Sequence, residues 1–279
     1  MKNLPVTFRL LIIILVSLLP LELFSQVKGN ANDFQPVVGQ GGKDVVWVPT
    51  PQELVDKMLD IAKITTKDLL IDLGSGDGRT VITAAKRGTR AIGVEYNPEM
   101  VALSERNAAR EGVSGKAEFL TADLFEYDFS KATVITMFLL PDINIRLRPI
   151  ILSMKPGTRV VSNTFTMGEW IPDDTVDVEE VTIAWHTAYM WIVPARVEGR
   201  WALQSGGEIT LFQEFQMLKG EVSENGETHP VVYGKLVGDE ISFLAGDVHY
   251  KGKVDGNKIT GTITEGENII PWTVTRAER

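Results

Sequence analysis

The 279-residue chain is 44% hydrophobic and 23% charged, the apolar content of an ordinary globular protein with the length of one large or two modest domains. Lys and Arg number 28 against 37 Asp and Glu, a net charge of −9 that lacks the positive field of nucleic-acid binders, so neither DNA nor RNA is an expected partner unless a local basic groove exists. The absence of cysteine excludes disulfides, thiolate nucleophiles and Cys-ligated metal sites.

Lys2 and Arg9 precede the apolar run from Leu10 to Leu19, which Pro20 and Glu22 end. A membrane-spanning helix needs about 20 apolar residues, and this run is half as long. Residues 1–25 read as a signal peptide cleaved after Ser25, which predicts export of the remainder, periplasmic or secreted. Leu23 is larger than the small residue preferred before such a cleavage site, so an uncleaved anchor facing outward is the alternative. No cysteine follows the run, which excludes attachment through a lipidated thiol. Residues 26–46, polar and rich in Gly and Asn, read as a flexible lead-in.

Order is expected from Trp47. Thr50, Pro51 and Glu53 have the spacing of a capping box, with Thr50 as N-cap, and the helix that follows puts Leu54, Val55, Met58, Leu59 and Ala62 on one face. The apolar run Leu69–Leu73, with Asp72 inside it, then turns through Gly74, Ser75, Gly76, Asp77 and Gly78 into a helix beginning at Arg79. Strand, glycine turn and helix bring backbone N–H groups up to a ligand. The even spacing of Gly74, Gly76 and Gly78 is not the dinucleotide fingerprint, whose third glycine falls three positions after the second, so a nicotinamide-dependent oxidoreductase is disfavoured.

The helix from Arg79 ends near Gly88, and Ala91–Glu95 is the second strand. Glu95 lies 17 positions after Gly78, close to the roughly 20-residue offset at which a carboxylate grips a ribose diol. Asn97-Pro98-Glu99 caps a helix running to Gly112, and Ala117–Leu120 is the third strand, followed by Asp123 and Leu124. Thr133–Leu140 reads as a strand buried on both faces, ending in Pro141-Asp142-Ile143-Asn144. A helix from Ile145 to Met154 leads to a fifth strand, Thr158–Ser162. Residues Val176–Thr182 and Ala188–Val193 fit a closing antiparallel pair. This alternation predicts a doubly wound, Rossmann-like α/β sheet over residues 47–195.

The pattern changes beyond Pro194. Short alternating segments are divided by Gly206-Gly207, Glu224-Asn225-Gly226, Gly238-Asp239 and Asp255-Gly256-Asn257, and Gly234–Ile241 is nearly repeated 18 residues later as Gly252–Ile259. Residues 196–279 are therefore expected to form a small all-β meander, a barrel or curled sheet resembling lipocalin-like modules, with no motif that assigns a ligand.

Taken together, Val48-Pro49-Thr50-Pro51, Asp72–Arg79, Glu95-Tyr96-Asn97-Pro98 and Phe165–Trp170 resemble class I S-adenosylmethionine (SAM) methyltransferases. The subgroup resembled contains the lysine methyltransferases of ATP synthase c-subunit and adenine nucleotide translocase. The resemblance implies SAM as cofactor and an amine acceptor, most readily a protein lysine, with a small amine or a membrane-associated protein as other acceptors. A non-catalytic protein holding a nucleoside or SAM is the alternative from another class. The resemblance further implies Gly74, Ser75, Gly76 and Gly78 beneath the methionine part, with Asp72 and Asn97 alongside. Thr50 would lie near the cofactor carboxylate and Glu95 on the ribose. Asp123 and the Leu124 N–H would meet the adenine, and Tyr96 would lie on its face. Asp142 and Asn144 are candidates to orient the amine or relay its proton, with helix capping as their alternative role. Phe138, Leu140, Phe165 and Trp170 would supply an apolar mouth. Strand four ends in Leu139-Leu140-Pro141-Asp142, not in the Pro-Pro-aromatic box of enzymes that methylate amide or adenine nitrogens. The three histidines lack metal-ligand spacing, and no metal is expected.

Overall fold

The computed structural model describes residues 34–178 and 185–277. The expected signal peptide, the first part of the lead-in and the Thr182 end of the closing strand lie outside the described residues. Among the described residues, no helix is long and apolar enough to cross a membrane.

Five adjacent strands of the first sheet run parallel. They are β1 (Leu69–Leu73), β2 (Arg90–Glu95), β3 (Ala117–Thr121), β4 (Val134–Met137) and β5 (Arg159–Asn163). The antiparallel pair β6 (Asp174–Asp177) and β7 (Thr187–Ile192) completes the order β3-β2-β1-β4-β5-β7-β6. The helices are α1 (Gln52–Ile61), α2 (Arg79–Lys86), α3 (Pro98–Arg110) and α4 (Pro141–Ile151). Continuous apolar runs make strands buried on both faces: Leu70, Val134 and Val161 pack toward one layer, and Ile71, Ile135 and Val160 toward the other. Strand order reverses between β1 and β4, so the crevice at their carboxyl ends is where such a sheet takes its ligand.

Several boundaries differ from expectation, among them the first closing strand, which is Asp174–Asp177 where Val176–Thr182 was expected. β4 stops at Met137, because Phe138–Leu140 leave the sheet to line a cavity. α4 starts at Pro141, four residues before the expected Ile145, since proline is favoured at a first helical position where no N–H is needed.

The C-terminal module is a closed antiparallel barrel. Its strands are β8 (Gly199–Leu203), β9 (Glu208–Glu214), β10 (Met217–Glu224), β11 (Glu227–Val237), β12 (Glu240–Ala245), β13 (Val248–Asp255), β14 (Lys258–Glu265) and β15 (Asn268–Arg276). They follow one another in sequence, and β15 pairs with β8 to close the barrel. The near-repeat marks equivalent hairpins, with Gly238-Asp239 and Gly256-Asn257 as two-residue turns. Inward residues fill the interior: Phe243 stacks on Tyr250 at 4.7 Å, and Trp272 meets both rings edge-on. With Trp201, Leu236 and Val274 they make a packed core.

Candidate active site

At the carboxyl ends of β1, β2 and β4 lies a cavity of about 480 Å³, within the range of small-molecule sites. Its floor is the glycine turn. The Gly74 and Ser75 N–H groups donate to the Val94 carbonyl at 2.8 and 3.1 Å, which ties the turn to β2. From α3, Ser104 Oγ donates to the Gly76 carbonyl at 2.8 Å and Asn107 Nδ2 to that of Asp77 at 2.9 Å. Gly74, Ser75 and Gly76 line the cavity, but Gly78 does not. A Cβ on Gly78 would fall 2.8 Å from both the Phe119 ring and Ser104, and its φ is +83°. Expected beneath the cofactor, Gly78 instead allows the turn to pack on β3 and α3.

Glu95 is held by backbone. Gly76 N–H donates to its Oε2 at 3.0 Å and Asn97 N–H to its Oε1 at 2.9 Å, which orients the carboxylate at the cavity wall with acceptor capacity left on each oxygen. Tyr96 and Asn97 line the same wall. Asn97 also caps α3, accepting from Glu99 N–H.

Asp72 is buried at the cavity floor and accepts from Thr136 Oγ1 at 2.6 Å. Burial pushes its carboxyl up to about 7; the Thr136 hydrogen bond opposes this, and the charges of Glu95 and Asp77 add to it. Beside it the Ser75 Oγ is buried with no partner among the described residues. A cavity floor with an unsatisfied hydroxyl and a desolvated carboxyl suits the cationic, hydrogen-bonding methionine end of SAM.

Thr50 does line the cavity, but it is not a helix cap. α1 begins at Gln52 after Pro51, without a side-chain cap, and the Thr50 Oγ1 accepts from Asn163 Nδ2 at 3.1 Å. The capping-box expectation fails because Asn163, at the end of β5, takes the hydroxyl. Arg79 fixes this segment to the turn, donating to the Thr50 carbonyl at 2.7 Å and to both oxygens of Asp77.

Part of the expected flexible lead-in is ordered. Over residues 34–46, Gly39 N–H and Trp47 N–H bond to Trp47 and Gln40 carbonyls, Gly42 N–H bonds to Val45, and Gln40–Val46 line the cavity as a strap. Backbone pairing across the glycines, together with Trp47 against Gly76, outweighs the polar composition. Lys43 on the strap pairs with Asp123 and sits 4.9 Å from the Tyr96 ring centroid. The Lys43 ammonium holds the Asp123 carboxyl below the usual carboxylate range. Asp123 also accepts from Phe125 N–H, closing a turn, and Leu124 lines the cavity beside it. A lone lysine in a Gly-rich stretch gave no signal of this pairing.

Phe138, Phe165 and Trp185, which also line the cavity, form a wall of rings whose centroids lie 5.8 to 6.0 Å apart. Leu140 and Ile143 continue it. Trp170, expected in this mouth, is fully buried outside the cavity, and its indole N–H has no partner among the described residues; its carbonyl accepts from Trp191 Nε1 at 2.7 Å. Trp185, just ahead of β7, stands where Trp170 was expected, its ring against both Phe138 and Phe165.

Asp142 and Asn144 do not reach the site. Asp142 is exposed on the first turn of α4 and does not line the cavity. Asn144 is fully buried, and its Nδ2 donates to the Phe165 and Thr166 carbonyls, both at 3.2 Å. Neither caps the helix, whose N-cap is Leu140. One turn of helix after Pro141 rotates Asn144 behind the aromatic wall and Asp142 to solvent.

The chain has counterparts among known proteins. Residues 72–174 match the model of the ANTKMT methyltransferase domain. A protein-lysine N-methyltransferase of Saccharolobus islandicus is 43% identical over 152 residues, 53% of this chain and 94% of that protein. The human lysine N-methyltransferase of the ATP synthase c-subunit is 34% identical over 140 residues, 50% of this chain and 59% of that one. A crystal structure of an RNA methyltransferase from Salinibacter ruber in complex with S-adenosyl-L-homocysteine has 47% identity and a TM-score of 0.50, covering 54% of this chain and 96% of that one. The chain belongs to the ANTKMT-type family of class I methyltransferases, and it is a SAM-dependent methyltransferase.

Proposed function

We propose that the enzyme methylates lysine side chains of protein. The observation that carries this reading is the wall of Phe138, Phe165 and Trp185, which lines the same cavity as the carboxylates of Asp72, Glu95 and Asp123. Lysine has a reference pKa of about 10.4 and must arrive neutral to act as a nucleophile. An apolar, desolvating wall lowers that pKa and packs against the alkyl stem. The named lysine substrates of the relatives from Saccharolobus and human support the same acceptor class.

In this reading Glu95 accepts from the ribose hydroxyls, Asp123 from the adenine amino group, and the Leu124 N–H meets the ring. Tyr96 lies on the adenine face. Ser75 and Thr50 offer hydroxyls to the methionine carboxylate, and Asp72 faces its ammonium across the Gly74–Gly76 turn. Bound SAM supplies a methyl group already activated on a sulfonium, so the chain's task is alignment. The amine lone pair forms the new N–C bond as the S–C bond breaks, and the nitrogen's proton passes to solvent.

The Salinibacter relative is named for RNA, but a net charge of −9 gives this chain no field to gather a polyanion. The decisive experiment incubates the chain and methyl-labelled SAM with separate protein and RNA fractions, then hydrolyses each. Label recovered as N-methyl-lysine is expected. Label in nucleosides, or in a small amine only, overturns the lysine reading.

Action outside the cytoplasm belongs to the same proposal, supported by Lys2, Arg9 and the apolar run Leu10–Leu19. Cell fractionation is expected to find the chain in the envelope or medium, and recovery with cytoplasmic markers overturns this part.

A further inference from the structure

Most two-residue hairpin tips of the barrel use turn residues. Asn225-Gly226, Gly238-Asp239, Gly246-Asp247, Gly256-Asn257 and Gly266-Glu267 each place a glycine at positive φ between paired strand ends. The tip between β9 and β10 departs from this rule. Its residues are Phe215 and Gln216, and Phe215 has φ of +51°. The left-handed region is sterically disfavoured for a bulky side chain, and such a residue persists where its surroundings hold it.

Here the surroundings belong to the methyltransferase domain. The Phe215 ring stacks on Trp170, with centroids 5.9 Å apart and planes 11° apart, and the Arg148 guanidinium lies 5.3 Å from the Phe215 centroid. Gln216, 3% exposed, donates from Nε2 to the Ile171 carbonyl at 2.8 Å. Gln213 on β9 fastens the tip from behind, donating to the Phe215 carbonyl at 2.7 Å and the Ala195 carbonyl at 2.9 Å.

Trp170 and Ile171 close the loop that starts at Phe165, a ring of the cavity wall. Met167 pairs with Trp170 across that loop, and Arg148 donates to the Met167 carbonyl at 2.8 Å while lying against Phe215. Asn144 secures the start of the loop through the Phe165 and Thr166 carbonyls. A continuous set of contacts therefore runs from the barrel tip, through Trp170 and Arg148, to Phe165.

We propose that the Phe215–Gln216 tip is a positioning element for methyl transfer, setting the Phe165 face of the acceptor wall. The proposal rests on the acceptor approaching that wall. It gives the barrel a part in the reaction as a brace on the loop. Phe215 and Gln216 touch no reacting atom in this arrangement and act through Phe165.

The test places para-fluorophenylalanine at Phe165 of the full chain and follows its fluorine resonance. Phe215→Gly removes the ring while supplying the residue that the turn conformation favours, so the barrel is expected to fold. It should shift or broaden the resonance, Phe215→Tyr should restore it, and Phe212→Ala on the exposed face of β9 should leave it unchanged. With polylysine as acceptor, Phe215→Gly should lower kcat by about tenfold to a hundredfold with SAM affinity unchanged. An unmoved resonance, or a moved one with unaltered kcat, overturns the proposal. A parent chain that binds SAM but transfers to no lysine overturns the lysine reading alone, since the fluorine signal still decides the contact between barrel tip and wall.

Discussion

Lys43 and Asp123, 80 positions apart in the chain, form an ion pair across one end of the cavity, joining the strap to the loop after β3. Asp123 is the proposed partner of the adenine amino group, so Lys43 competes with adenine for the carboxylate. Exposed ion pairs are weak, and Lys43→Ala is expected to tighten SAM binding by about twofold to fivefold. The difference should shrink as salt screens the pair. Calorimetric titration at low and high ionic strength measures both effects, and weaker binding by the variant would show that Lys43 helps to hold the ligand.

Glu95 has a different part, because its carboxylate joins the glycine turn to the start of α3 through Gly76 and Asn97. Glu95→Gln keeps a hydrogen-bonding side chain but loses the charge that accepts from a diol. SAM affinity should fall about tenfold to a hundredfold, as expected for a lost hydrogen bond to a charged group. Thermal melting beside the titration separates ligand loss from unfolding. An unchanged dissociation constant would place the ribose elsewhere.

The buried Asp72 links stability to pH. Its folded-state pKa of about 7 is raised above the ordinary value of 3.8. Between those two values the folded chain keeps a proton that the unfolded chain has lost, so stability from this group falls as pH rises through the window and levels off above it. The slope contributed is on the order of 1 kcal/mol per pH unit. Asp72→Asn should flatten it in denaturant titrations run across that range. A slope unchanged in the variant would assign the pH dependence to other groups.

Gly78 tests packing. A methyl group there meets the Phe119 ring and Ser104 at 2.8 Å on a backbone with φ of +83°. Gly78→Ala should destabilise the fold by about 2–4 kcal/mol, combining left-handed strain with overpacking. Denaturant unfolding measures it; a loss below about 0.5 kcal/mol would mean that Phe119 yields freely.

Much of the site was legible in sequence because it is local. A β1 apolar run, a glycine turn and an acidic residue at the end of β2 lie within one βαβ unit, and backbone geometry leaves them little choice of where to point. Thr50, Asp72, Gly74, Ser75, Gly76, Glu95, Tyr96, Asn97, Asp123 and Leu124 accordingly share one cavity. The alternating strands and glycine turns likewise announced the β module, whose closure needed only the β15–β8 pairing. The misses lie where side-chain direction depends on distant packing. Asn144 and Asp142 are turned away by the early start of α4, Trp170 is drawn into the barrel interface, and Trp185 takes its place in the wall.

The sequence by itself therefore determined the class of sheet and the backbone cradle, since these rest on residue types at short spacings, and the cofactor followed from the family that those motifs resemble. Only the tertiary structure decided that Lys43 reaches Asp123, that Trp185 joins Phe138 and Phe165 in one wall of the cavity, and that a hairpin tip of the barrel stacks on Trp170. Those relationships join residues tens of positions apart. Their partners are chosen by the packing of whole elements, which no local pattern encodes.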